Sequence, residues 1–265
     1  MRGEWSTVNG QRSTVRLFRL TSHVLLLTTL TACAVTPLSR RIRVGEEPFV
    51  IGVGEGSDSN TDLFAAPAGG GAFIRLTFTR AEERLPRLSP RGTAVAFVRR
   101  EGGAANPRWT LVVLDLLTTA EHSAPLPHGT EAPVRTGWAR DGSALVLAGG
   151  YFTLAAEQDS LTPVSPAQRS AADSATRELL GDPPGAMVGE CAGGELCIAA
   201  SNGDTTRFGP GDTGAIRWGG DSLGYFTARG FEVRPLSAGS ARRPDWSGKP
   251  AALRSLTHHP GRTAR

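Results

Sequence analysis

Pro86-Arg87-Leu88-Ser89-Pro90-Arg91-Gly92 runs into Ala94-Val95-Ala96-Phe97-Val98, and after a polar loop comes Thr110-Leu111-Val112-Val113-Leu114-Asp115-Leu116. The Pro and Gly of the first junction are turn residues, one with φ preset and the other free to adopt positive φ. The two apolar runs are short, rich in β-branched residues and bounded by turn signals, so they read as neighbouring antiparallel strands. From residue 48 onward this unit recurs, and long amphipathic helical periodicity is nearly absent. Gly 33 and Pro 18 together make about a fifth of the 265 residues, enough to supply the turns. Hydrophobic content of 39% with 20% charge is that of a globular chain.

Further copies depart from the first in different ways. Gly137-Trp138-Ala139-Arg140-Asp141-Gly142 leads into Ala144-Leu145-Val146-Leu147, and Ile216-Arg217-Trp218-Gly219-Gly220-Asp221 leads into Leu223-Gly224-Tyr225-Phe226 and Phe231-Glu232-Val233-Arg234-Pro235-Leu236. A weak copy spans Cys191 to Ala200. These units resemble the WD40-like propeller repeat of TolB-like proteins, which runs Pro-x-Trp-Ser-Pro-Asp-Gly, then an Ile-Ala-Phe type strand and a strand ending in Asp-Leu. Leu88 stands at the Trp position and Arg91 at the Asp position. The resemblance implies an all-β fold, a β-propeller of four-stranded blades. The 218 residues from Pro48 to Arg265 correspond to about five blades at ~40 to 45 residues each, with six as the rival count. Phe49-Val50-Ile51-Gly52-Val53, Asp62 to Ala66 and Ile74 to Thr77 look like later strands of a repeat lacking its beginning. Pro244-Asp245-Trp246-Ser247 looks like a first strand lacking its remainder. Pairing the N- and C-terminal strands would therefore close the ring and remove exposed edges. Trp138, Trp218 and Trp246 share one repeat position, which predicts packing between blades. Ser165-Pro166-Ala167-Gln168 has helix-start chemistry and Leu179-Leu180-Gly181 helix-stop chemistry, so 166–180 is expected as a helical insertion.

The N-terminus carries an address. Arg16 and Arg19 precede the apolar run Val24 to Leu30, which has signal-peptide length and falls well short of the ~20 residues that span a bilayer. Leu30-Thr31-Ala32-Cys33 resembles the lipobox of bacterial lipoproteins. That implies a signal peptide over 1–32, lipidation of Cys33, a tether over 33–47 and the propeller domain over 48–265. Ala34 after the cysteine favours the outer membrane, facing the periplasm or the cell surface. Several acyl chains give the stable anchoring that one chain cannot. Export also places Cys191 and Cys197, separated by a Gly193-Gly194 turn, in an oxidising compartment, where either a cross-hairpin disulfide or two buried thiols would serve.

Charge and motifs narrow the function. The basic residues are 28 Arg and Lys249 alone; without the leader, 25 basic face 24 acidic residues. A nearly neutral body lacks the concentrated positive field that phosphate backbones require, so no nucleic-acid partner is expected. Gly220-Asp221-Ser222-Leu223-Gly224 spells a Gly-x-Ser-x-Gly motif, but an apolar strand-like run follows where a nucleophile elbow needs a helix. The histidines His122, His128 and the pair His258-His259 show no metal spacing, and the pair reads as a polar tail. Gly52-x-Gly54-x-Gly56 and Gly69-Gly70-Gly71 read as turns, lacking the Lys and helix of a phosphate cradle. Asp62, Asp115, Asp141, Asp221 and Glu232 are carboxylate candidates in principle; Asp62 and Asp115 sit beside the strand that ends in Asp-Leu in the repeat they resemble, while Asp141 and Asp221 fall in turns, where the side chain caps its own backbone. No catalytic residue, metal or cofactor is expected. The expected function is a monomeric, non-catalytic envelope lipoprotein whose propeller binds a protein or other ligand. The alternative is a propeller hydrolase of glycosidase or lactonase type, with channel carboxylates or a metal. Clustered carboxylates at the channel would favour hydrolysis, and an apolar, uncharged channel with a rim patch would favour binding.

Overall fold

The computed structural model describes residues 38–56, 60–155, 157–169, 186–191, 195–200, 205–210, 216–218, 221–227, 230–235 and 239–262. In chain order the strands are β1 (Phe49–Glu55), β2 (Thr61–Pro67), β3 (Gly70–Ala72) and β4 (Ile74–Arg75), then β5 (Glu82–Leu88), β6 (Ala94–Glu101), β7 (Arg108–Asp115) and β8 (Glu121–Pro125). β9 (Arg135–Trp138), β10 (Ala144–Leu147), β11 (Tyr151–Leu154) and β12 (Thr162–Pro163) follow. The last are β13 (Ala186–Cys191), β14 (Glu195–Ala200), β15 (Thr205–Pro210), β16 (Ile216–Trp218), β17 (Ser222–Thr227), β18 (Gly230–Pro235), β19 (Asp245–Ser247) and β20 (Arg254–His259). They form antiparallel sheets in the orders β5-β6-β7-β8, β9 to β12, β13-β14-β15 and β16-β17-β18; one further sheet, β20-β1-β2-β4, joins the two ends of the domain.

Burial on both faces makes these strands. In β6, Val95 and Phe97 point into a cluster with Phe49, Ile51 and Leu63, while Ala96 and Val98 point the opposite way, into a cluster with Trp138, Ala144 and Val146. β7 alternates likewise, Val112 and Leu114 on one side, Leu111 and Val113 on the other. The β1 sheet is also two-faced, because Val50 and Ala66 turn to a third cluster with Trp218, Phe231 and Val233. The β16, β1, β5 and β9 sheets therefore stack face to face in that order. A strand covered on both faces must be apolar throughout, which explains the unbroken Ala-Val-Ala-Phe-Val run. Each fully buried Val, Leu or Phe contributes about 1.5–3 kcal/mol.

The strand that completes the first sheet is not the one expected. Asp245-Trp246-Ser247 pairs in parallel with β3, whereas β20 pairs antiparallel with β1, Phe49 opposite His259 and Val50 opposite His258, with a bulge between Ile51 and Val53. His258 and His259, read as a polar tail, are buried strand residues. Gly52 and Gly54 lie within β1 and not in turns; a Cβ on Gly52 would lie 2.5 Å from Leu256, whose side chain fills that space. The segment read as a tether also belongs to the body, since Leu38, Ile42 and Val44 are buried in the β1/β5 cluster. Ser165 caps a helical turn beginning at Pro166: its N–H donates to Gln168 Oε1 at 3.0 Å, and the Gln168 N–H returns to its hydroxyl at 3.3 Å. The rest of the expected insertion, 170–180, lies outside the described residues.

The β20 strand is seated against the turn between β5 and β6. Gly92, with φ at +68°, sits so close to the His259 ring that a Cβ would approach it to 2.4 Å, whereas Gly142, with φ at +87°, has open space around it. Gly92→Ala and Gly142→Ala should both incur about 1–2 kcal/mol of left-handed backbone strain. Gly92→Ala should lose roughly 1–3 kcal/mol more through overpacking against His259. Chemical denaturation of both variants checks this, and equal losses would show that β20 is not seated on that turn.

Candidate functional site

Asp62, Thr77 and Glu83 are among the few buried polar residues of the domain, and they form one network. β2 supplies Asp62, and Arg75 at the end of β4 donates to its Oδ2 at 2.6 Å. The Thr79 N–H donates to Asp62 Oδ1 at 3.3 Å. The Glu83 carboxylate, at the start of β5, accepts from the hydroxyl of Thr77, from that of Thr79 at 3.3 Å and from Arg99 Nη2 at 3.1 Å. Thr77 Oγ1 in turn accepts the Leu63 N–H at 2.9 Å. Thr61 Oγ1 accepts the Glu83 N–H at 3.0 Å and donates to its carbonyl at 2.9 Å. Arg99 continues outward to Glu121 at 2.9 Å. Two sheets are thereby tied together through charges that are each paired and hydrogen-bonded, the condition under which buried charge is tolerated.

Burial dominates Glu83 and pushes its pKa up to about 7, against the pull of Thr77 and Arg99 and with a further push from the charge on Asp62. Arg99 divides itself between Glu83 and the more exposed Glu121, so the buried acid has only part of a cation. The arginine itself is held above its ordinary pKa; partial burial acts to lower it, but the two carboxylates outweigh that.

A cleft of about 720 Å³ opens beside this network, lined by Asn60, Thr61, Thr79, Arg80, Arg99, Arg100 and Arg254, with Glu82 and Glu101 as its acids. Glu82 gathers Arg84 at 2.5 Å and Arg100 at 2.9 Å. Burial acts to raise its pKa, but the hydrogen bonds from Arg84 and Arg100 prevail and hold it below the usual carboxylate value. Asp62 and Glu83 are fully buried and do not line the cleft.

The other expected carboxylates are dispersed. Asp115 accepts the N–H groups of Leu117 and Thr118 at 2.8 and 2.7 Å. Asp141 accepts the Ser143 N–H at 2.9 Å and its hydroxyl, and these bonds, the hydroxyl's first, lower its pKa. Both are turn caps. Glu232 pairs with Arg243 at 2.7 Å. Ser222 opens β17 and donates its hydroxyl to Asp221 at 3.0 Å, so a strand and no helix follows the Gly-x-Ser-x-Gly motif. Ser222 and His258 border one small pocket, but the His258 ring lies stacked on Trp218 at 4.5 Å and 12°. A Cβ on Gly224 would meet the Phe231 ring at 2.3 Å, which makes that glycine a packing residue.

Trp138 and Trp218 are buried between sheets as expected, and the Trp138 indole donates to the Arg87 carbonyl at 3.0 Å. Trp246 donates to the Pro67 carbonyl at 2.9 Å from the parallel strand β19, a different position from the other two. His122 meets Asp159 at 3.4 Å on the surface. Among the described residues no group of three or more His, Cys, Asp or Glu could hold a metal. Cys33 and the side chain of Cys191 lie outside the described residues; Cys197, on β14, is buried and disulfide-bonded.

Glu83 was not among the sequence candidates. Counting back from Leu88 by strand alternation puts residue 83 on the outer face. The register instead shifts between Arg84 and Arg87, where Leu85 takes φ of +56°, and this irregularity turns Glu83 inward.

No family model and no curated protein matches the chain. Among solved structures it is similar to TolB from Acinetobacter baumannii, with 12% identity and a TM-score of 0.35 over 77% of this chain and 55% of that one. It is also similar to the tricorn protease, with 11% identity and a TM-score of 0.32 over 73% of this chain and 22% of that one. The chain thus spans about half the length of the first protein and under a quarter of the second.

The raised pKa of Glu83 makes stability depend on pH. Between the ordinary value of 4.5 and about 7, the folded protein keeps a proton that the unfolded chain has lost, so stability falls as pH rises through that interval. His259 acts oppositely: burial, only partly offset by a bond to the Glu47 backbone, lowers its pKa from 6.5, so its contribution is lost as pH falls below that value. Glu83→Gln removes the first effect and keeps the second. Relative to this variant, wild type should weaken by on the order of 2–3 kcal/mol between pH 5 and 8. Urea unfolding at the two pH values measures the difference, and a flat one would contradict a buried acid.

Proposed function

We propose that this protein is an exported lipoprotein, anchored through Cys33 at the outer membrane and facing the periplasm, whose five sheets form a closed β-propeller acting as a non-catalytic binding module. The supports for a propeller are the face-to-face stacking of four sheets and the pairing of β20 with β1. No helix among the described residues is long and apolar enough to cross a membrane; in this reading the lipobox cysteine supplies the anchor. In the same reading Cys197 bridges to Cys191 across the hairpin and the protein is a monomer. The observation that carries the binding role is the open cleft beside β5 and β6, which presents Arg80, Arg99, Arg100 and Arg254 and, among the described residues, has no Ser, Cys or His in its lining. An arginine-rich, partly neutralised cleft on rigid strands suits an acidic segment of an envelope protein, since guanidinium groups match carboxylates in geometry as well as charge.

One observation favours the hydrolase reading. Asp62 and Glu83 both bond to Thr79, and the pair combines a carboxylate in a short ion pair with an acid of pKa about 7, the division of roles that acid–base hydrolysis uses. Both carboxylates are fully buried, and Thr79 and Arg99 line the cleft beside them. Binding is therefore the better-supported role.

Two measurements test the proposal in cells and in solution. A photo-crosslinking residue at Arg100 or Arg254 should trap an envelope protein that the same residue at Val134, on an exposed loop, does not, and Cys33→Ala should release the protein from the membrane fraction. Equal trapping at all three positions, or membrane retention of the cysteine variant, would refute the corresponding part. Hydrolysis of chromogenic glycosides or lactones that disappears in Glu83→Gln would instead establish the enzyme.

A further inference from the structure

At one end of the β5–β8 sheet the strand register sets charge beside an apolar surface. Glu82 stands opposite Arg100, Arg100 stands opposite Trp109, and the Trp109 carbonyl accepts the Leu126 N–H at 2.8 Å, so the four follow one another across the sheet. Residues directly opposite each other share a face. Glu82 and Arg100 line the arginine cleft. Trp109 and Leu126 line a second pocket, of about 310 Å³, together with Pro107, Pro125 and Pro127. Arg100 joins the two, because its guanidinium lies over the Trp109 ring, 5.9 Å from the centroid.

The second pocket is held in shape. Its three prolines have φ fixed by their rings. In the β6–β7 turn the Asn106 N–H donates to the Gly103 carbonyl at 3.2 Å, and Gly102, with φ at +81°, packs so closely that a Cβ would lie 2.8 Å from the Asn106 carbonyl oxygen. In the loop after β8 the Thr130 N–H donates to the Pro127 carbonyl at 3.1 Å, and the Thr130 hydroxyl donates to the same oxygen. The titratable groups in the lining are Arg108 and His128, and among the described residues no carboxylate lines the pocket. Arg108 stands opposite Glu101 in the register, yet neither it nor His128 has an ion-pair partner within 4.0 Å. An apolar cavity of this size with a few polar groups suits one large side chain, and its basic lining suits an acidic neighbourhood around that side chain.

We propose that the Trp109 pocket sets specificity: it takes one aromatic or large aliphatic side chain from the acidic segment whose carboxylates pair with the arginine cleft. The pocket's role rests on the binding-module reading and deepens it. An extended chain advances about 3.3 Å per residue, so a carboxylate on Arg100 and an apolar side chain over Trp109 belong to residues about two positions apart. The partner therefore carries an acidic run interrupted by an apolar residue, and a purely acidic tail would leave the pocket unfilled.

The test uses the purified full chain and two fluorescein-labelled oligoglutamate peptides, one with phenylalanine and the other with serine at the central position, with fluorescence anisotropy as readout. Burial of the phenylalanine ring should make that peptide bind at least tenfold more tightly. Ala105→Trp fills the pocket from the exposed β6–β7 turn and should bring the two peptides to equal affinity without changing that of the serine peptide; its melting temperature reports that it is folded. Arg254→Gln, in the cleft, should weaken both peptides by the same factor. Equal affinity for the two peptides in wild type, or a phenylalanine preference that survives Ala105→Trp, would overturn the role of the pocket and leave the cleft reading standing. Binding of neither peptide would refute the cleft reading, and the pocket's role with it, so the two failures are distinct.

Discussion

The pairing of β20 with β1 is the constraint on which the domain depends. The two strands lie about two hundred residues apart in the chain, yet Phe49 stands opposite His259 and Ile51 opposite Thr257 in one register. Without β20, β1 would present an unpaired row of backbone groups along one edge of its sheet. The strand also touches sheets other than its own. Thr257 accepts from the β5 backbone, His258 stacks on Trp218 of β16, and His259 lies over Gly92 in the turn after β5. One six-residue strand thus bears on three sheets at once. Closing so long a loop costs several kcal/mol of chain entropy but grows only slowly with its length, and burial of four consecutive residues from Leu256 to His259 opposes that cost.

Much of the architecture was legible because repeats leave local signatures. The turn at Pro90 to Gly92 and the two-faced apolar run after it follow from backbone preference and burial alone. The N-terminal strands were recognisable for the same reason. What escaped depends on pairing across the chain. Pro244-Asp245-Trp246-Ser247 matches the repeat pattern better than Arg254 to His259 does, yet it runs parallel to β3 against Gly70 and Gly71, whose positive φ no pattern of apolar residues reveals. His258 and His259 look polar as letters, but their rings behave as aromatic plates once Trp218 and Phe49 lie against them. Glu83 was hidden by a register shift, which inverts the faces of a strand while leaving its composition unchanged. The supposed tether was missed because Leu38, Ile42 and Val44 are too sparse to form a strand pattern, although each finds the core.

The two fully buried carboxylates of this domain, Asp62 and Glu83, belong to one network, and the completeness of that network decides how they are read. Around Glu83 the hydrogen bonds are complete: hydroxyls and guanidinium groups surround a carboxylate, and its partners fasten two sheets together. A finished network of that kind stiffens the structure and leaves no lone pair or proton for a ligand. Its acid of raised pKa is therefore weak evidence for catalysis, because burial is the largest cause of the shift and the neighbouring Asp62 only adds to it. The cleft next to it keeps exposed what the network conceals, and that is where contact with another molecule can begin.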